Sequence, residues 1–169
     1  MTSQPLSVDW DSYDAHKAVI DGPSYQAILG GLKPSLGGKA EMYHVQFSAP
    51  TIALEKPVTE VLILTLKAPE NRATVVDILS KISEANEKRL VFGQTREDEN
   101  KYILIGGWPT VEVCRRNGTR VFRLDYNASS PQAHWETVSK PEVAATLDKL
   151  YSLATKDHLY HTKLSQYRL

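Results

Sequence analysis

The chain has 169 residues, 41% of them hydrophobic, and 20 Lys and Arg stand against 20 Asp and Glu. That suffices for one core, and without clustered cations no nucleic-acid partner is expected. Neither a run of about twenty apolar residues nor a charged-then-apolar leader is readable, and the single cysteine, Cys114, cannot form an intrachain disulfide, so the chain reads as cytoplasmic with no membrane partner.

In chain order, Ser12 is placed to cap a helix with Asp14 in its first turn; Pro23 follows, and Glu41 to Phe47 (EMYHVQF) reads as a strand. After a Pro-containing linker, Glu60 to Lys67 (EVLILTLK) is a buried-strand signature stopped by Pro69. Pro69-Glu70-Asn71 opens a helix whose Val75, Ile78, Leu79 and Ile82 recur at helical spacing. Leu90 to Arg96 and Lys101 to Trp108 read as a hairpin joined by the acidic turn Glu97 to Asn100. Thr110 is then placed as an N-cap with Glu112 in the first turn, and the helix resumes at Ala133, turns at Pro141 and runs through Val143, Leu147, Leu150 and Leu153. His158 to Leu164 closes the set as a strand.

A spacing recurs along this series. Trp10, four residues, Ala15-His16, Pro23, Leu29, Leu32 and Tyr43-His44 reappear as Trp108, Ala133-His134, Pro141, Leu147, Leu150 and Tyr160-His161, provided that about twenty residues, Val113 to Gln132, are set aside. That segment holds Cys114 and four arginines and shows no periodicity that continues either neighbour; its ends are compatible with the border codons of a short intron, so it is expected to be translated intron sequence, the alternative being a genuine surface loop inserted at the start of a helix. The expected organisation is α+β: a partial first repeat over 1–50, a linker over 51–59, and a ferredoxin-like βαββαβ repeat over 60–169 interrupted at 113–132. Only nine residues precede Trp10, so the first repeat is expected to be completed by upstream sequence or by a second subunit.

Trp-x4-Ala-His, the Pro, the closing Tyr-His strand and the segment ILIGGWPTVE resemble the dimeric α/β-barrel superfamily, in particular the antibiotic biosynthesis monooxygenase domain proteins of filamentous fungi with two repeats in one chain. The resemblance implies a barrel, monomeric or homodimeric, that binds a small hydrophobic or aromatic molecule and either performs cofactor-independent oxygenation or polyketide tailoring or serves as a non-catalytic stress-response or ligand-binding protein. No cofactor is implied.

The residues themselves offer four histidines in repeated positions: His16 and His134 near helix starts, His44 and His161 on closing strands. No pair has the i, i+4 helical spacing of a metal site, and His158 and His161 point to opposite strand faces, so no metal is expected. Strand alternation separates Tyr160 and Thr162 from His161, and likewise Tyr43 from His44. The Tyr-bearing faces, being more apolar, are expected to pack on helices, which leaves His44 and His161 looking into the barrel as candidate catalytic bases. Tyr102 and Trp108, on one strand face, together with Trp10, His16 and His134, are the expected ligand-lining residues. Glycine-rich phosphate loops and a serine-nucleophile elbow are missing from the sequence.

Overall fold

A computed structural model describes residues 6–32, 34, 41–108, 110–116, 119–125 and 141–162. They fall into two units, up to His44 and from Val45 onward.

The first unit contains α1 (Tyr13–Ile20) and α2 (Tyr25–Leu32). As its sequence requires, α1 starts where the Ser12 side chain accepts from the Ala15 N–H, with Asp14 in the first turn. Eight residues make only two turns, and α1 buries none of its side chains. The expected strand over 41–47 does not form; the segment makes one isolated bridge, Val45 with Thr95. Its alternation is real, but a ladder needs a partner along its whole length, and only the last residues of this segment have one.

The second unit is built on a four-stranded antiparallel sheet of β1 (Val58–Leu66), β2 (Leu90–Gln94), β3 (Lys101–Trp108) and β6 (Ala154–Thr162), in the order β2-β3-β1-β6. A short 3-10 turn at Pro69–Asn71 leads into α3 (Arg72–Ala85), which joins β1 to β2, and α4 (Pro141–Leu153) precedes β6. Strand, helix, two strands, helix, strand, with the first strand central and beside the last, is the ferredoxin-like arrangement expected of 60–169. Along β1, alternate residues face opposite ways. Leu62, Leu64 and Leu66 join Tyr102 and Leu104 of β3, Val75, Ile78 and Leu79 of α3, and Leu150 of α4 in the main core. Both helices therefore cover one face, the helix side.

At the end of α3, Glu87 and Lys88 take positive φ (53° and 59°), and the Lys88 N–H returns to the Ser83 carbonyl at 2.9 Å, so the chain reverses into β2 without a glycine. Beyond the free side of β2, the strand edge is met by residues 45–48. Ser48 N–H donates to the Phe92 carbonyl at 2.8 Å, and Phe92 N–H donates to Ser48 Oγ at 3.3 Å. At the opposite edge β6 pairs with β1 in register except between Ile63 and Leu64, where Asp157 is an extra residue, a β-bulge.

The segment after Trp108 departs from expectation. Thr110 does not cap a helix: β4 (Thr110–Arg116) and β5 (Thr119–Asp125) pair as a separate two-stranded antiparallel sheet from Thr110↔Asp125 to Arg116↔Thr119. Val111, Val113, Val121, Phe122 and Leu124 favour strands, and the strands are separated by Asn117-Gly118, a dipeptide signal for a tight hairpin. Periodicity of strand type was thus present in the segment that reads as foreign. The expected resumption of helix at Ala133 lies outside the described residues, whereas α4, Pro141–Leu153, includes the expected Val143, Leu147, Leu150 and Leu153. The closing strand starts four residues earlier than read, at Ala154.

The recurrent spacing is matched in conformation only in part: Leu29 and Leu32 lie on α2 as Leu147 and Leu150 lie on α4, whereas the Trp and Tyr-His positions differ. Trp108 ends a strand at 6% exposure, whereas Trp10 precedes a helix at 38%. Tyr160-His161 belongs to β6, whereas Tyr43-His44 lies outside any strand.

Candidate functional site

The sheet face opposite α3 and α4 carries Val61 and Ile63 of β1, Val91 of β2, Ile103 and Ile105 of β3, and Tyr160 of β6, as the register requires. Its centre is withdrawn from water: Ile63, Ile103, Ile105 and Val91 are 8%, 9%, 4% and 1% exposed, and none belongs to the helix-side core. One end is roofed by a 3-10 turn at Ile52–Glu55, whose Ala53 carbonyl accepts from Thr59 Oγ1 and whose backbone comes so near Gly107 that a Cβ there would lie 2.6 Å from the Ala53 Cα.

At the other end stands a polar cluster from three adjacent strands. Thr65 Oγ1 donates to Asp157 Oδ2 at 2.6 Å, and Lys101 Nζ donates to the same oxygen at 2.8 Å and to Thr65 Oγ1 at 3.0 Å. The β6 bulge brings Asp157 to this position, and the Lys101 and Asp157 side chains are largely buried. Burial pushes the Asp157 carboxyl upward. The hydrogen bonds from Lys101 and Thr65 and the charges of Lys101 and His158 outweigh this and hold it below the usual carboxylate range. A carboxyl depressed on folding adds stability that is present above its unfolded pKa and is lost as pH falls through its lower folded value. Wild-type protein should therefore exceed Asp157→Asn in urea midpoint near about pH 5, with the gap closing by about pH 2. A gap independent of pH would refute the assignment. Next in the same strand, the His158 and Tyr160 rings stack at 5.4 Å, bordering the apolar floor.

Among the expected site residues, His161 needs correcting in its orientation. It is cross-strand from Glu60, on the face of Leu62 and Leu64, and so lies on the helix side; Tyr160 occupies the opposite face. Alternation divides the two sets but does not say which one packs, and the more apolar partner set, Val61 and Ile63, claims Tyr160. His161 Nε2 is 3.1 Å from Glu60 Oε2, with both side chains mostly buried. Burial, and secondarily the Glu60 charge, raise the nearby Tyr151 hydroxyl above its ordinary value.

Tyr102 and Trp108 also lie on the helix side. Tyr102 is in the main core and Trp108 packs with Val58 and Leu90, so they line no wall on the opposite face. Trp108 and His161 share the same end of the helix-side face, and Tyr102 the other end.

In the first unit the structure gathers Trp10, His16 and His44. Trp10 stacks on His16 with ring centres 4.3 Å apart, and His16 Nδ1 lies 2.8 Å from His44 Nε2. His134 lies outside the described residues. Sequence reasoning missed Thr65, Lys101, Asp157 and His158, for which no local motif exists: the first three meet only through strand register and a bulge. Among the described residues no group of three or more His, Cys, Asp or Glu could hold a metal, and no helix is long and apolar enough to cross a membrane.

No family model matches the chain, and no curated protein matches it. Among solved structures it is similar to two crystal structures described as "putative monooxygenase". One, from Fusobacterium nucleatum subsp. nucleatum ATCC 25586, is 11% identical with a TM-score of 0.48 over 91% of this chain and 64% of that one. The other, from Lactobacillus acidophilus NCFM, is 12% identical with a TM-score of 0.42 over 89% and 63%. The chain thus spans less than two thirds of either structure, and the ferredoxin-like assignment stands on its own strand order.

Proposed function

We propose that this protein binds a flat hydrophobic or aromatic small molecule on the sheet face opposite α3 and α4, as a member of the dimeric α/β-barrel kind. The observation that carries the reading is the β1–β6 side of that face, where partly exposed Val61 and Tyr160 and the His158 ring lie beside the buried Ile63, Ile103 and Ile105, with the Lys101–Asp157–Thr65 cluster at one end. Apolar surface with a few convergent polar groups is the usual make-up of a small-molecule site. A hydroxyanthraquinone titrated into the protein should show saturable binding. Val61→Trp, at a partly exposed position on that face, should weaken it at least about tenfold while the circular dichroism is unchanged. Absence of saturable binding, or equal affinity in Val61→Trp, would overturn the reading.

A catalytic form of the same reading is a cofactor-independent oxygenase in which an imidazole removes a proton from an anthrone-like carbon acid. Its expected bases are His161, which Glu60 holds on the helix side of the sheet, and His44, which His16 holds in the first unit. Oxygen uptake on anthrones should then fall in His161→Ala or His44→Ala. Unchanged turnover in both would exclude these bases, and binding without turnover in the wild type would leave a non-catalytic binding protein, the reading favoured by the helix-side position of His161.

A further inference from the structure

We propose that His16 and His44 form a two-histidine site for a borderline divalent cation, Zn2+ or Ni2+. The residues are 28 apart in sequence and come from α1 and from the segment after α2, yet His16 Nδ1 and His44 Nε2 are 2.8 Å apart. In the metal-free protein one of these nitrogens donates a proton to the other; both are also the atoms with which imidazole binds metals. Two imidazole nitrogens at about 2.0–2.1 Å from a tetrahedral ion stand roughly 3.3 Å apart, so about half an ångström of opening converts the hydrogen bond into a chelate.

The surroundings favour this exchange. Trp10 stacks flat on His16 with 12° between the rings, and Tyr13 meets His44 edge-on at 5.0 Å, so both rings are oriented before any ion arrives. Ser12 fixes the start of α1 and thereby the direction of His16. Residues 1–44 carry Asp9, Asp11, Asp14, Asp21 and Glu41 against Lys17, Lys33 and Lys39, a modest acidic excess. Among the described residues no third His, Cys, Asp or Glu joins the pair. The competing account is a simple tether between residue 44 and α1.

The test uses the full chain, stripped with a chelator, desalted, and titrated with nickel chloride or zinc chloride. Ni2+ should quench the fluorescence of Trp10 because of the stack on His16, and Zn2+ should compete with a chromophoric chelator at one ion per chain. His16→Gln and His44→Gln should each weaken Zn2+ binding at least about tenfold. Trp10→Phe should lose the Ni2+ quench yet keep Zn2+ uptake, and His44→Cys, which restores a ligand, should regain much of the Zn2+ affinity lost in His44→Gln. If His16→Gln disturbs the helical circular dichroism, His44→Gln decides alone. Wild-type affinity in His44→Gln, or no saturable binding below about 1 mM, would leave only the tether.

Discussion

Truncation of Leu64 to Ala is expected to lower the unfolding free energy by about 3–5 kcal/mol, near the top of the range for core leucines. Leu64 is fully buried at the middle of β1, the central strand that pairs with both β3 and β6. It packs among Val75, Ile78 and Leu79 of α3, Tyr102 and Leu104 of β3, and Leu150 of α4, so it lies where the sheet meets both covering helices. Neighbours anchored on separate strands and helices cannot collapse together into the space, and the cavity term adds to the lost transfer energy. Urea denaturation reads the effect as a lower midpoint with an unchanged slope. A loss below about 1 kcal/mol would mean that the site is not enclosed as described.

Gly93→Ala should be the other severe substitution, at about 3 kcal/mol, by overpacking. A Cβ on Gly93 would lie 2.3 Å from the Gln46 carbonyl oxygen and 2.5 Å from Val45 Cγ1. The nearest atom is backbone, which cannot swing aside as a side-chain end can, so either β2 or residues 45–48 must move. The segment is the weaker of the two, held by one isolated bridge and the two Ser48 bonds to Phe92. Hydrogen exchange should therefore show the Ser48 amide losing protection by about tenfold or more, while amides in the centre of β1 lose only what the global destabilisation explains. Unchanged Ser48 protection together with unchanged stability would show that the approach at Gly93 is looser than drawn.

How much could be read beforehand depended on whether the signal was local. Ser12 and Asp14 announce α1 because a cap is settled within four residues, and the Leu- and Ile-rich β1 followed by Pro69, with the acidic turn after Thr95, announces a strand and a hairpin in the same way. Local alternation also put His158 and His161 on opposite faces. Which face receives the helices is decided by the partner strands, so His161, Tyr102 and Trp108 were assigned to the wrong side of the sheet. The strand expected at Glu41–Phe47 failed for a related reason: an alternating pattern does not supply a neighbour. Lys101, Thr65 and Asp157 are far apart in sequence and look like ordinary polar positions until register and the bulge bring them together. Asn117-Gly118 was legible, but the composition around it drew the reading away.

The irregularity at Asp157 bears on the behaviour of many copies as well as one. A nine-residue strand at the margin of a sheet offers a template on which other chains can zip, yet here its donors and acceptors fall out of step midway, and the residues at that point are the charged pair Lys156 and Asp157. An incoming strand in register above the kink would be mismatched below it. The same extra residue that delivers a carboxylate to the Lys101 amine thus also discourages lateral accretion.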